Sequence, residues 1–403
     1  MVKMMKIIQI GSYMMGAQKT IEEGIHQYAQ EAGYSSRVLY VRGKSELSGV
    51  ICCENRFENI ITRALRRGLG KNPQFATLQT LRMISKIHRF RPDLVHLHVL
   101  HGGCINYELL LKYLVRMRLP VVYTMHDMWA HTGGCYHHVL EQCDGYRTGC
   151  SECQAEQQHL DELVGRVPCA YQTKKELLMR LNSLHCVTVS HWVAEEFSKG
   201  FLSGVSTSVI YNGVKQCTEE SENIRIKRED NKIRIICSAM FWDQNKGLNT
   251  IMELAKLLDD RFEILVVGNV DEGSKRTAPR NVVFYGYCAD RAHLHSLFRN
   301  SDIHVTASRA ETFGMTLVEA AMAGIRSIGF ACTAVKEVLE QVHGVAVEEL
   351  TARGLFHAVI HVVDNHGNRL TVDEIQDVCD RFSIVRMAQE YIKLYETVVS
   401  SKK

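Results

Sequence analysis

Two glutamates eight residues apart, in the stretch Glu311-Thr-Phe-Gly-Met-Thr-Leu-Val-Glu319-Ala-Ala-Met-Ala-Gly324, straddle what reads as a junction between a loop and a helix. Glu311 falls in the loop, Gly314 lets the backbone pass close to a ligand, and Glu319 lies inside a helix expected over 316–323. The first turn of such a helix leaves N–H groups unpaired and carries the positive end of its dipole, so the junction favours an anion such as a diphosphate. One carboxylate can then hold sugar hydroxyls and the other a ribose, which is what a nucleotide-sugar site requires. A capped surface helix with two solvated glutamates has the same spacing.

Two further residues carry chemistry. Lys246 follows the first strand of the second half after a short loop and would offer an ammonium to a diphosphate leaving group. A solvated lysine before a helix is the plain alternative. His126 follows a strand expected over 121–124, the end at which α/β sites place functional groups; a histidine that only caps the strand and bonds Asp127 would look alike.

The elements that must hold these residues alternate between strand and helix. Strand patterns at 6–10, 36–41, 94–97, 121–124 and 186–189 are separated by helical stretches such as 20–32 and 106–118. A second series runs through 233–237, 263–267, 282–285, 303–306, 327–330 and 345–347. Apolar strands alternating with helices imply parallel sheets covered on both faces, and two series imply two Rossmann-like domains. We place them at 1–205 and 206–383, with a linker near 200–223 that includes the acidic run at 219–222, and a terminal helix over 384–403. Ligands bind at the carboxyl ends of parallel strands, so two facing sheets would create one cleft.

Composition bounds the rest. The chain of 403 residues exceeds what one core usually supports, and 48 basic against 45 acidic residues give no reason to expect nucleic acid. The apolar run at 7–10 is too short for a signal segment and no stretch is long enough to span a bilayer, so a cytoplasmic protein is expected. Fourteen scattered cysteines then suggest reduced thiols. They are densest in His131-Thr-Gly-Gly-Cys135-Tyr-His137-His138, followed by Cys143 and by Cys150-Ser-Glu-Cys153. Cys135, Cys143, Cys150 and Cys153 could wrap one structural Zn2+, with His131 or His137 as substitutes; unligated thiols fit equally and disulfides less well. From Ile60 to Arg91 there is no acidic residue, while Arg63, Arg66, Arg67, Lys71, Arg82, Lys86, Arg89 and Arg91 are basic among apolar residues. That pattern suits contact with an anionic membrane, or a solvated helix face packed on the domain.

The Glu311 to Glu319 stretch resembles the E-x7-E signature of the retaining glycosyltransferases of family 4. Other landmarks of that family occur in order: a Gly16-Ala-Gln-Lys loop after the first strand, Tyr123-Thr-Met-His126-Asp127, Val209-Ile-Tyr-Asn212-Gly213-Val, Lys246-Gly247, Val266-Val-Gly268 and Phe284-Tyr-Gly286. The match is nearest to bacterial transferases that assemble exopolysaccharide or O-antigen units. The resemblance implies the GT-B fold and a nucleoside-diphosphate sugar donor, UDP or GDP linked. It implies a glycan or lipid-linked acceptor, and transfer that needs no metal. It also implies donor contacts from Gly16, Lys246, Gly314, Met315, Thr316, Leu317 and Glu319, a donor contact for His126, and sugar orientation by Glu311. The terminal helix would pack back on the first domain. In such enzymes the acceptor hydroxyl arrives on the face from which the diphosphate leaves, so the leaving phosphate can serve as base. One departure stands out: relatives often carry an arginine six residues before the lysine, where this chain has Met240, so Arg309 is a candidate replacement.

Two other chemistries compete. A nucleotide-sugar epimerase of similar architecture would need an acid and base pair, for which His126 and Glu311 are available, and a non-catalytic sugar-nucleotide sensor would need only the binding groups. A nicotinamide dehydrogenase fits less well than either, because Gly11-Ser-Tyr-Met-Met-Gly16 lacks the glycine spacing that admits a dinucleotide.

Overall fold

The structure, a computed structural model, describes residues 4–58, 60, 76–153, 155, 160–162, 164–216, 232–365 and 367–401. The chain divides into two compact units, one formed by Met1–Tyr211 with Met387–Lys403, the other by Asn212–Arg386. The first boundary lies six residues beyond the 205/206 division read from composition; the acidic run at 219–222 is outside the described residues.

The first unit holds a seven-stranded sheet in the order β5-β3-β1-β6-β7-β8-β9. Its strands are β1 (Lys6–Ile10), β3 (Ser35–Tyr40), β5 (Val50–Cys52), β6 (Leu94–Leu97), β7 (Val121–Met125), β8 (Leu184–Thr188) and β9 (Ser206–Val209), and β2 (Tyr13–Met14) pairs with β4 (Arg42–Gly43) beside it. Every pairing is parallel. The continuous apolar runs Ile7-Ile8 and Val121-Val122 are buried, as strands covered on both faces require. Helices α1 (Gly16–Glu31), α2 (Thr77–Phe90), α3 (Tyr107–Met117), α4 (Val167–Met179) and α5 (His191–Ser198) supply the cover. The second unit repeats the plan with a parallel sheet β12-β11-β10-β13-β14-β15. Its strands are β10 (Ile233–Phe241), β11 (Phe262–Asn269), β12 (Val282–Gly286), β13 (Ile303–Thr306), β14 (Arg326–Phe330) and β15 (Val345–Val347). Around it lie α6 (Leu248–Leu257), α7 (Arg291–Arg299), α8 (Met315–Met322), α9 (Thr333–Gln341), α10 (Ala352–Asp364) and α11 (Val372–Phe382). Ile235, Ile251, Leu254, Phe262, Ile264 and Ile303 form the centre of its core.

In each sheet the strand order reverses at one place, between β1 and β6 and between β10 and β13. Loops leaving the carboxyl ends of those paired strands diverge and open a crevice, where ligands of α/β sheets bind.

The last helix, α12 (Ile384–Ser400), begins in the second unit and continues into the first. Its apolar stripe, Met387, Ala388, Tyr391, Ile392, Tyr395 and Val398, is buried. Two phenols fix it to the sheet: Tyr395 Oη is 2.6 Å from His96 Nδ1, and Tyr391 Oη is 2.8 Å from Thr124 Oγ1. His96 Nε2 closes the circuit at 2.7 Å from the same threonine. Burial holds His96 neutral, so one ring nitrogen donates and the other accepts.

Beneath the loop that follows β1, Glu22 of α1 is fully buried, with Oε1 accepting from Gln18 Nε2 at 2.6 Å and Oε2 without a partner among the described residues. A Cβ at Gly11 would lie 2.4 Å from Glu22 Oε1, so a larger residue there would have to displace this carboxyl. Desolvation raises the Glu22 pKa from 4.5 to about 8, so the side chain is a neutral acid at pH 7. The folded state therefore keeps a proton that the unfolded state has released, and stability from this group is lost as pH rises from 4.5 through about 8. Glu22→Gln, which reproduces the neutral acid without titrating, should gain on wild type by on the order of 2–4 kcal/mol between pH 5 and pH 9 in denaturant unfolding. An advantage independent of pH would show that Glu22 is not held neutral.

Candidate functional site

In the second unit, Lys246 lies in the loop after β10 and Glu311 in the loop after β13, the two strands that flank the reversal of strand order. Their side chains meet in an ion pair between Lys246 Nζ and Glu311 Oε1, both partly buried. The backbones beneath are locked together by Asn245, a buried residue that sequence reasoning missed. Its Nδ2 donates to Ala310 O at 2.9 Å and its Oδ1 accepts from Ala310 N at 2.8 Å, while Arg309 N donates to Asn245 O at 3.0 Å. On the far side, Glu311 N donates to Thr333 Oγ1 at 3.1 Å. Gly247 closes the approach with φ 71°, and a Cβ there would stand 2.5 Å from Ala307 O. Gly268 lets β11 pass equally close, since its Cβ would lie 1.8 Å from Ala239 O.

Gly314, with φ 90°, occupies the N-cap of α8, which starts at Met315, one residue earlier than expected. Leu317 N turns back to Gly314 O at 3.0 Å, so the N–H groups of Met315 and Thr316 are those left at the helix start. Glu319 sits one turn in, its side chain 11 % exposed and paired through Oε1 with Arg291 at the start of α7. Its other oxygen, Oε2, is buried with no partner among the described residues. Desolvation raises the Glu319 pKa and Arg291 opposes the rise. A buried carboxylate oxygen of this kind is costly unless a donor reaches it, and a ligand hydroxyl is such a donor. Arg309, the candidate replacement for the arginine absent at Met240, directs its Nη2 to Leu350 O at 3.4 Å. The arginine nearest the signature helix is Arg291, which sits behind an Asp290 N-cap and carries no motif.

In the first unit, Gly16 opens α1 with φ 57°. His126 follows β7, and its Nε2 lies 3.0 Å from His98 Nδ1. The direction of this bond can be worked out from its far end. Gln9 Nε2 donates to Glu22 O at 3.1 Å, which leaves Gln9 Oε1 as the acceptor for His98 Nε2 at 3.0 Å. His98 Nδ1 must then accept, so His126 Nε2 carries the proton. Burial depresses the His126 pKa from 6.5 to about 4, so the ring is neutral and its Nδ1 is an acceptor. In this arrangement the single N–H of His126 is directed at His98. Asp127, the next residue, has strong partners of its own. That carboxylate pairs with His101 Nε2 at 2.6 Å and accepts from Trp129 N at 2.9 Å. The His101 pKa is raised by Asp127 against desolvation, and that of Asp127 is lowered to about 2. His98 and His101 also escaped sequence reasoning, although the alternation His96-Leu97-His98 already places two imidazoles on one face of β6 and its extension.

The cysteines expected to hold zinc stay within one region: Cys135, Cys143, Cys150 and Cys153 line a single cavity of about 20 Å³ together with His138 and Tyr146. The proposed substitutes do not line it. His131 is buried against Tyr146, Phe197 and His138 instead.

Residues 232–365 match the family described as Glycosyl transferases group 1, and residues 16–216 match the family described as Glycosyltransferase Family 4. WcaC, a glycosyl transferase of Escherichia coli K12 named for colanic acid biosynthesis, is 24 % identical over 81 % of this chain and 82 % of its own length. A Campylobacter jejuni enzyme, N,N'-diacetylbacillosaminyl-diphospho-undecaprenol alpha-1,3-N-acetylgalactosaminyltransferase, is 24 % identical over 45 % of this chain and 48 % of its own. Among solved structures, the HepE protein of Anabaena in complex with UDP-glucose superposes with a TM-score of 0.63 at 15 % identity, covering 98 % of this chain and all of the other.

Removal of the Asn245 amide should strand both the N–H and the C=O of Ala310. We expect Asn245→Ala to lose about 2–4 kcal/mol of stability and to lower turnover more than binding of a nucleoside, because the Glu311 loop is released. Unfolding curves and steady-state kinetics that leave both quantities at wild-type values would show that the two loops hold each other by other means.

Proposed function

We propose, for a chain that belongs to glycosyltransferase family 4, that the second unit binds a nucleoside-diphosphate sugar and that the enzyme passes the sugar, with retention at its anomeric carbon, to a glycan hydroxyl on a lipid-linked acceptor. The chain is a glycosyltransferase with two Rossmann-like α/β units of the GT-B fold. The observation that carries the finer reading is the convergence of Lys246 and Glu311 at the reversal of strand order, beside the start of α8 and the unsatisfied Oε2 of Glu319.

Each group has a part in that reaction. Lys246 and the N–H groups of Met315 and Thr316 bear the diphosphate charge, which grows as the glycosidic bond breaks, so transfer does not call for a metal ion. Glu311 orients the sugar and supports developing positive charge on it; no covalent step is assigned to it. Glu319 Oε2 accepts from a ribose hydroxyl, which removes the penalty of its burial. The role that family resemblance gives His126 is a contact with the donor. Gly16 and Leu317 shape backbone around the ligand. Donation of a proton by His126, as epimerisation would ask, is disfavoured by a pKa of about 4.

The named relatives agree with this class of substrates: one acts on a diphospho-undecaprenol-linked sugar and one was solved with UDP-glucose. No helix among the described residues is long and apolar enough to cross a membrane. Peripheral contact with an anionic membrane surface is supported by exposed Phe57, Ile60, Leu78 and Leu81 near Arg82, Lys86 and Arg89. Glu58 joins the two apolar pairs by accepting from Leu78 N at 2.7 Å and Gln79 N at 2.8 Å. Most of the remaining basic segment, residues 61–75, lies outside the described residues.

The deciding experiment supplies the pure protein with UDP- and GDP-linked sugars, with and without a polyprenyl-diphosphate-linked sugar. Release of nucleoside diphosphate that depends on the acceptor establishes transfer; isomerised donor with no acceptor requirement would establish an epimerase instead. Glu311→Gln should cut transfer by about ten- to a thousandfold at unchanged melting temperature. Near-normal turnover would remove Glu311 from the reaction. For Lys246→Ala, calorimetry should show a much larger loss of affinity for the nucleoside diphosphate than for the nucleoside, since the unpaired Glu311 carboxylate then repels the anion. Lys246→Ala combined with Glu311→Gln should recover part of that loss. Equal losses for both ligands would mean that Lys246 only supports the fold.

A further inference from the structure

Between β7 and α4 the chain runs from residue 126 to residue 166 with no strand or α-helix among its described residues, only short 3-10 turns at Trp129–His131, His138–Glu141, Gly145–Arg147 and Val164–Arg166. A segment of that length without regular structure is unusual in a packed domain and needs a local source of order. Its own apolar cluster is small: Cys135, Tyr146, Cys150, Ala155, Leu160, Val167 and Tyr171. Two of those residues, Cys135 and Cys150, and their surroundings suggest that the order has another origin.

Cys135, Cys143, Cys150 and Cys153 come from four separate points of the segment and line the same cavity. Its volume, about 20 Å³, admits one sphere the size of a water molecule, and a bare Zn2+ is smaller. Three of the sulfurs already accept backbone N–H bonds: Cys143 Sγ from Gly145 N at 3.4 Å, Cys150 Sγ from Gly133 N at 3.3 Å, and Cys135 Sγ from the backbone of His137. In two of these the donor lies two residues beyond the cysteine, a turn that holds a sulfur as acceptor and suits a thiolate better than a thiol. Lys174 is the nearby compensation for negative charge. It is fully buried, donates to Trp129 O at 2.6 Å and lowers the cost of an anion at Cys150. His138, with its Nδ1 buried and unpartnered, lines the cavity too.

From this convergence we infer that Cys135, Cys143, Cys150 and Cys153 bind one structural Zn2+, which orders the loop after β7 on which Asp127 and Trp129 stand. Coordination replaces four S–H protons by four S–Zn bonds, so one Zn2+ entering releases four protons to solvent and leaves a site of net charge −2. The site is not closed in advance: among the described residues no three His, Cys, Asp or Glu side chains already stand at metal-binding separations. Binding therefore draws the sulfurs inward into the shared cavity.

The test uses the full chain, without a histidine tag, prepared under reducing conditions from zinc-replete cells. Elemental analysis should find about one zinc per chain, and exchange with Co2+ should give the intense charge-transfer absorption of a tetrahedral tetrathiolate. Cys150→Ser combined with Cys153→Ser should lower zinc content about tenfold, while Cys169→Ser, an exposed thiol, should retain it. Where the double variant fails to fold, the wild-type protein decides. Zinc below about a tenth of an equivalent, iron with sulfide in its place, or a Co2+ spectrum without thiolate bands would each overturn the assignment.

Discussion

Both ends of the Asn245 amide are spent on the backbone of Ala310, and the crevice of the second unit depends on that bond pair. Lys246 and Glu311 are 65 residues apart in sequence and leave different strands. Parallel packing of β10 on β13 brings their loops to one crevice, but sheet geometry alone fixes only where the loops begin. A side chain that donates to and accepts from the backbone of one residue, spanning the peptide groups on either side of it, removes the remaining freedom at a cost of one buried polar residue. Such a residue is worth more as a fastener than its net hydrogen-bond energy suggests, because deleting it strands two buried backbone groups.

The first unit solves a different problem, how to push the pKa values of neighbouring imidazoles apart. His126 and His101 stand close together, yet burial lowers the pKa of the first, while Asp127 outweighs burial at the second and raises it. The difference comes from the partners. His126 meets another neutral ring, His98, which is itself oriented by Gln9 and ultimately by a backbone carbonyl of α1. His101 meets a carboxylate. Tautomer and charge are thus set by groups on three elements, and α12 adds a fourth by seating its phenols on His96 and Thr124.

The sequence made the architecture legible because strand periodicity and helix periodicity alternate through most of both halves, and every strand expected in either half is present in the sheets. Short edge elements such as β2, β4 and β5 were not read, since two or three residues carry no period. The signature stretch was legible for a local reason: glycine at a helix start and carboxylates on either side are visible in one window. Asn245, Arg291, His98 and His101 were not, because what makes them matter is a partner far along the chain. Asn245 acts on a residue 65 positions away and Arg291 on one 28 away. Tautomers belong to the same class, as nothing in the order of residues says which nitrogen of His126 carries its proton.

The pairing of Lys246 with Glu311 has a consequence for which ligands the proposed donor site favours. Without a ligand the two charges satisfy each other, so a bare diphosphate that captures the lysine leaves the carboxylate partly buried and unpaired. A diphosphate that also carries a sugar supplies hydroxyl donors to that carboxylate while it takes the ammonium. Both partners of the broken pair are then compensated, and the burial of Glu319 Oε2 is relieved by the ribose in either case. The ion pair therefore sets an exchange cost that the intact donor offsets more completely than the diphosphate remaining after transfer. Discrimination between donor and product can arise from this exchange alone, because the interaction that the product cannot replace is the one that Lys246 and Glu311 recover by closing on each other.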